Sequence, residues 1–198
     1  MLYWPMALPD DHPLRATCFD WICSVFQRLG VANIAMWTDF LGHSESELEH
    51  FEAIYIGGGN TYRLLHLLGE SGFDQALLRG IRSGKAVYGG SAGAAILGRD
   101  IQTVAHMDQN LVGLNDQHGL DAMGGYAIWC HYEPADNTRI TAYIEANVVP
   151  VLAISERAGL VLEDGRLIAS GYEPTICFTP AGRRVLDAGQ DVVLPTST

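Results

Sequence analysis

Ser91 lies in the run Val87-Tyr88-Gly89-Gly90-Ser91-Ala92-Gly93-Ala94, and its surroundings suit a nucleophile. A β-branched and aromatic pair reads as the end of a buried strand. Two glycines, a serine and small residues able to open a helix follow. This is the G-x-S-x-G pattern of a sharp strand-to-helix turn that exposes a serine hydroxyl. Glycines flank such a serine because a Cβ there would collide with the neighbouring strand and helix. The N–H groups at the start of the next helix have no partner within it and point at whatever is bonded there. A serine so placed still needs a base and an oxyanion site. The plain alternative is a Gly-Ser turn that merely closes a strand.

The base is expected to be one of seven histidines: His12, His43, His50, His66, His106, His118 and His131. His12, His43 and His50 fall in loops or on an acidic face and read as solvated. His66 sits among leucines on a helix and reads as boundary packing. His106 and His118 lie in an irregular stretch and stay open. His131 follows the apolar run Ala127-Ile128-Trp129-Cys130, so it belongs at a strand's carboxyl end. Cys130 beside it invites a Cys–His pair, but adjacent residues of an extended segment point to opposite faces. A carboxylate must then accept the imidazole Nδ1–H. Glu156 follows the apolar run Val151 to Ile154 and is again at a strand end. Glu133, Asp136 and Asp121 compete with it, and any of these can be a plain surface charge.

A second glycine turn, Gly57-Gly58-Gly59-Asn60, ends the strand Ala53-Ile54-Tyr55-Ile56 one strand–helix unit earlier. Neighbouring parallel strands would bring the two turns together. The N–H groups of Gly59 and Ala92 could then converge as an oxyanion hole, where one donor is worth about 3 to 4 kcal/mol of barrier. The rival reading is a phosphate-binding turn, but neither G-x-G-x-x-G nor a Walker loop is present.

The elements that must hold these residues alternate between strand and helix. Strands are expected at Leu2 to Leu8, Ala32 to Trp37, Ala53 to Ile56 and Lys85 to Tyr88. Between them run a helix carrying Phe19, Ile22, Val25, Phe26 and Leu29, a short acidic helix from Ser44 to His50 capped by Ser44 or Ser46, a helix from Thr61, and another from Phe73 to Arg82. Asp100 to Gly125 shows little periodicity. Further on come a strand at Ala127 to Cys130, a helix from Arg139 to Ala146, a strand at Val149 to Ile154, a hairpin through Asp164-Gly165, and a last strand at Cys177 to Thr179. Such alternation implies βαβ units and an α/β fold, with a mainly parallel sheet flanked by helices on both faces. Functional residues are then expected at the carboxyl ends of strands.

The 198 residues suggest one domain spanning 1–198, and 48% hydrophobic with 18% charged residues is a globular balance. No apolar run is long enough to cross a bilayer, and the N-terminus has no basic region of a signal peptide. A formal net charge of −11 with no basic stripe argues against a nucleic-acid partner. It also means that an anionic substrate needs a local arginine. Cys18, Cys23, Cys130 and Cys177 lack CxxC spacing, which fits buried thiols in a reducing cytoplasm rather than a metal site.

The stretch Ile54 to Ala95, with Ile-Gly-Gly-Gly-Asn-Thr followed by Tyr-Gly-Gly-Ser-Ala-Gly-Ala, resembles peptidase family S51, whose members include aspartyl dipeptidases. The resemblance implies a class I glutamine amidotransferase-like, flavodoxin-like fold with serine at the elbow. It implies Ser91 as nucleophile, His131 as base, Glu156 as the acid, Gly59 and Ala92 as oxyanion donors, and Asn60 and Arg139 at the substrate. It implies small peptide substrates, no metal or organic cofactor, and a cytoplasmic protein, and it allows a homodimer.

Four departures accompany the resemblance. Cys130 stands where the family has proline, and Arg157 where it has glycine. The arginine-bearing loop that reads an N-terminal aspartate is short here, with only Arg139 in it. Members also carry an extra strand and helix before the segment matching Leu2 to Leu8, so the expectation is a sheet one strand smaller or a misplaced start. The alternatives kept are another small-amide or ester hydrolase on the same residues, a glutamine amidotransferase-like protein, and a non-catalytic binding module on the same scaffold.

Overall fold

The computed structural model describes residues 1–194. By its contacts the chain forms two compact units. The first is Met1–Ala94 with Asp108–Asn115; the second is Ala95–Met107 with the chain from Asp116 onward.

In the first unit, β1 (Leu2–Trp4), β2 (Ala35–Met36), β3 (Ala53–Ile56) and β4 (Ala86–Gly89) make an all-parallel sheet in the order β2-β1-β3-β4. The connections carry α1 (Leu14–Arg28), α2 (Thr61–Ser71) and α3 (Phe73–Arg82), and α4 (Ala92–Ala95) begins directly after Ser91. Both faces of this sheet are covered. Tyr3 and Trp4 are consecutive in β1 and point to opposite sides. On one side Phe19 and Phe26 of α1 meet Tyr3 and Tyr55. On the other, Trp37, Phe40 and Phe73 surround the fully buried Trp4.

The first two strands are shorter than their apolar runs. Pro5 cannot donate to a ladder, and β1 stops before it. The acidic segment is a 3₁₀ helix, Glu45–His50, entered at Ser44, whose N–H donates to the Glu47 carboxylate at 2.6 Å. Asn60 caps α2 through its side-chain oxygen, which accepts from the Arg63 N–H at 2.9 Å.

In the second unit, β5 (Ala127–Trp129), α5 (Asn137–Asn147) and β6 (Val151–Ala153) are a βαβ unit with parallel strands. β7 (Ala158–Glu163) and β8 (Arg166–Gly171) form the expected hairpin, and both turn residues, Asp164 and Gly165, have positive φ as a type I′ turn requires. β9 (Thr175–Thr179) pairs antiparallel with β6, and its Ile176 and Phe178 join Trp129, Ile140, Ile144 and Val151 in one core.

The expectation of a last strand at Cys177 to Thr179 is corrected. β10 (Gly182–Leu186) follows antiparallel to β9, and β11 (Asp191–Val193) adds to β8. The Gly-Arg-Arg-Val-Leu of β10 is exposed except at Leu186, so it has no core-facing alternation to read. Its pairing comes from the neighbouring strand. Parallel pairing thus dominates the unit with the elbow, while the strands after β6 pair antiparallel.

Two glycines of the elbow, Gly89 and Gly93, are required by contact, since a Cβ at Gly89 would collide with the Gly93 carbonyl. A Cβ at Gly93 would collide with the Ile56 carbonyl at the end of β3. Gly93→Ala is expected to cost on the order of 3 kcal/mol by overpacking, read as a lowered urea midpoint with an unchanged m-value.

Candidate active site

The sequence of the first unit forces its two glycine turns into contact. β3 and β4 are in register from Ala53–Ala86 to Ile56–Gly89, so both turns leave the sheet at the same level. The Gly90 N–H donates to the Ile56 carbonyl at 2.9 Å. Ser91 follows with φ +50, a left-handed conformation that costs a non-glycine residue roughly 1 to 2 kcal/mol. A Cβ at Gly58 would lie 3.1 Å from Ser91 Cβ and 3.7 Å from its Oγ. The bare α-carbon of Gly58 therefore leaves room beside the hydroxyl. Gly59 has φ +137, and a Cβ there would come within 2.5 Å of the Ala7 carbonyl oxygen. That carbonyl also accepts the Asn60 N–H at 2.8 Å, which locks the turn onto the loop after β1.

Two residues near this turn were not legible in the sequence. Asp108 Oδ2 accepts the Thr61 N–H at 2.7 Å, and the Gln109 carbonyl accepts the Asn60 side-chain N–H at 2.9 Å. Both come from the aperiodic stretch, which carries no signal for such a role. Asn60, expected at the substrate, has a structural job as helix cap and tether.

The buried Tyr3 and the half-buried Tyr55 underlie the same turns. A Cβ at Gly57 would lie 2.8 Å from the Tyr3 hydroxyl, and one at Gly90 would lie 3.2 Å from the Tyr55 hydroxyl. Burial, assisted by Tyr88 and Cys18, pushes the Tyr55 pKa up to about 12, and burial raises that of Tyr3 as well. The fold therefore favours the neutral phenol. Its contribution to stability is whole below about pH 10, where an unfolded tyrosine is neutral, and is lost as pH rises to about 12. Urea midpoints should fall across that window, and less steeply in Tyr55→Phe.

In the second unit the parallel pairing of Trp129 with Ala153 places the residues after β5 beside those after β6. The Tyr132 N–H donates to the Ile154 carbonyl at 3.0 Å. His131, with φ +55, turns out of the strand direction, and its Nδ1 is hydrogen-bonded to Glu156 Oε1. Cys130 is buried, and the strand ends at Trp129, so the expected extended pair Cys130-His131 is replaced by a left-handed turn at His131. A carboxylate can only accept, so Nδ1 is the donating nitrogen of this pair.

The competing acids have local partners. Asp136 accepts from the Glu133 N–H at 3.0 Å and from Arg139 at 3.1 Å, and Asp121 accepts from the Gly125 N–H at 2.8 Å. Arg139 thus sits at the start of α5 with a carboxylate from its own turn.

The other histidines divide. His106 stacks on Trp129 with ring centroids 4.5 Å apart, and His118 meets Asp116 at 2.6 Å on the surface. His43 is not simply solvated. It stacks on Trp37 at 3.8 Å with planes 7° apart, because the loop after β2 folds it over that ring.

Cavities of about 420 Å³ occur in each unit, and neither is lined by Ser91, His131 or Glu156. Among the described residues no group of three or more His, Cys, Asp or Glu side chains could hold a metal ion, and no helix is long and apolar enough to cross a membrane.

A parallel α/β sheet with a left-handed serine between a strand and a helix defines a class I glutamine amidotransferase-like fold with a serine elbow. The profile of Peptidase family S51 matches residues 3–170, and the chain belongs to that family. Peptidase E of Streptomyces coelicolor is 29% identical over 162 residues, which cover 76% of this chain and 65% of that protein, just under two thirds of its length. An uncharacterized peptidase of Listeria innocua is 30% identical over 149 residues, covering 72% of this chain and 71% of that one. The solved structure of a peptidase from an acI-B1 Actinobacterium superposes with a TM-score of 0.73 at 17% identity, over 98% of this chain and 83% of that one, and shows the same fold.

Proposed function

We propose that this protein is a serine peptidase that hydrolyses small peptides through Ser91, His131 and Glu156. The observation that carries the reading is the hydrogen bond between His131 Nδ1 and Glu156, which lie 25 residues apart. It leaves an imidazole with a defined tautomer and a basic Nε2. The left-handed Ser91 and membership of family S51 support the same reading.

Ser91 Oγ attacks the scissile carbonyl carbon while His131 Nε2 takes its proton. The N–H groups of Gly59 and Ala92 stabilise the tetrahedral oxyanion. The imidazolium, stabilised by Glu156, returns the proton to the leaving amine, which departs and leaves an acyl-enzyme. Water then attacks the ester with His131 again as base, and Ser91 is regenerated. No step needs a metal or organic cofactor. A cytoplasmic site of action fits thiols without disulfides, and a homodimer would be compatible with this chemistry.

The test is hydrolysis of a dipeptide panel with varied N-terminal residues, alongside labelling by a fluorophosphonate. Cleavage and labelling, both lost in Ser91→Ala, are the expected result. Labelling with turnover of esters but no peptide would point instead to a different amide or ester hydrolase. Neither labelling nor turnover would make the scaffold a binding module.

A further inference from the structure

We propose that Arg63, together with Arg15, positions the oxyanion turn by clamping the loop that supports it. This rests on the peptidase reading above and deepens it, because it names side chains that tune the site without touching substrate. Pro5 ends β1 and leaves the carbonyls after it outside the sheet ladder. The chain turns sharply there, with the Leu8 N–H donating to the Pro5 carbonyl at 2.9 Å. Met6 and Ala7 are fully buried, so their carbonyls must find donors within the protein.

Three consecutive carbonyls find three different donors. Arg63 Nε donates to the Met6 carbonyl at 3.1 Å, the Asn60 N–H to the Ala7 carbonyl at 2.8 Å, and Arg15 Nη2 to the Leu8 carbonyl at 2.7 Å. The middle bond ends on the glycine turn, and the two arginines hold its acceptor from either side. Both guanidiniums also donate to Asp10 Oδ1 at 2.8 Å, which ties them together. Asp10 is 76% exposed, so this ion pair adds little by itself, and the bonds to the buried carbonyls are the main hold.

Gly59 lies directly on this support. A Cβ there would come within 2.5 Å of the Ala7 oxygen and 2.9 Å of the Leu8 nitrogen, so its α-carbon packs on the Ala7–Leu8 peptide. The Asn60 N–H is fixed on the other side of that α-carbon. The aim of the Gly59 N–H therefore follows the position of Ala7. Arg63 couples the two segments, because its own N–H donates to the Asn60 side chain at 2.9 Å while its guanidinium holds Met6. Its planar fork reaches a carbonyl through Nε and a carboxylate through Nη2. A lysine could supply the charge but not both bonds.

The experiment uses the full chain with Arg63→Met or Arg63→Lys, and Arg79→Met as a control that removes only the surface pair with Glu45. Arg15 is left in place, because its side chain is 7% exposed and its loss endangers the fold, whereas that of Arg63 is 26% exposed. Sites are counted by exhaustive fluorophosphonate labelling. The readouts are the labelling rate, kcat and KM for a cleaved dipeptide, and amide exchange at Asn60. Arg63→Met should lower kcat and the labelling rate per site roughly 10-fold, less than the loss of about 10²- to 10³-fold for a donor removed outright, with KM within about twofold. Exchange at Asn60 should quicken roughly 10-fold while the β3 amides exchange as before. Arg63→Lys should fall between, and Arg79→Met should change nothing. Unchanged exchange at Asn60, an unchanged labelling rate, or a raised KM at unchanged kcat overturns the proposal. So does faster exchange throughout β3 with normal turnover per site, which is the mark of a merely structural role. The peptidase reading fails separately, if the unsubstituted chain hydrolyses no peptide; the labelling rate and the exchange at Asn60 then still decide the clamp.

Discussion

Ser91→Ala is expected to lower kcat for a cleavable dipeptide by on the order of 10⁵- to 10⁶-fold, with substrate binding retained. Without the hydroxyl there is no acyl-enzyme, and only positioning and the oxyanion donors remain to assist direct attack by water. The backbone at Ser91 supplies an internal control. Alanine keeps the Cβ that makes φ +50 costly, whereas glycine removes it. Ser91→Gly should therefore be about 1 kcal/mol more stable than Ser91→Ala in urea denaturation, while both are inactive. Equal stability of the two would mean that the elbow holds no strain. Peptide turnover surviving in both would move the nucleophile elsewhere.

The next largest effect is expected at Glu156. Glu156→Gln should reduce kcat roughly 10⁴-fold with little change in KM. The carboxylate can only accept, so it selects the tautomer with hydrogen on Nδ1 and the acceptor lone pair on Nε2. An amide can rotate to donate to Nδ1, which moves the hydrogen to Nε2 and removes the base. The Glu156 side chain is 74% exposed, so thermal stability should hardly change. A raised KM with unchanged kcat would instead make Glu156 a substrate-binding residue. The same substitution made at Asp116, the surface partner of His118, is expected to leave turnover intact.

Much of the first unit was legible because its signals are local. The glycine turns, the Thr61 and Phe73 helix starts and the β3 limits follow from neighbouring residues, and the structure places them within a residue or so of expectation. The elbow was legible for the same reason, since a left-handed serine between glycines is set over five residues. Long-range pairings were less accessible. β10 carries two arginines on an exposed edge and was missed, and β2 keeps only two residues of its apolar run. Histidine 43 shows the same limit from the opposite side. Its loop looks polar in sequence, and only the fold lays it on Trp37.

The chain by itself determined which residues could do chemistry: a serine on a tight turn, a second glycine turn one strand away, and a histidine and a glutamate that each follow an apolar run. Tertiary structure decided which of them meet. The contact of Gly58 with Ser91 depends on the β3–β4 register, and the bond from His131 to Glu156 depends on the β5–β6 register. Asp108 and Gln109 reach the Asn60 turn from 47 to 49 residues away. A register is fixed by the burial of whole strand faces and by ladders between distant segments. No window of neighbouring residues contains that information, so the partners appear only when the sheet is assembled.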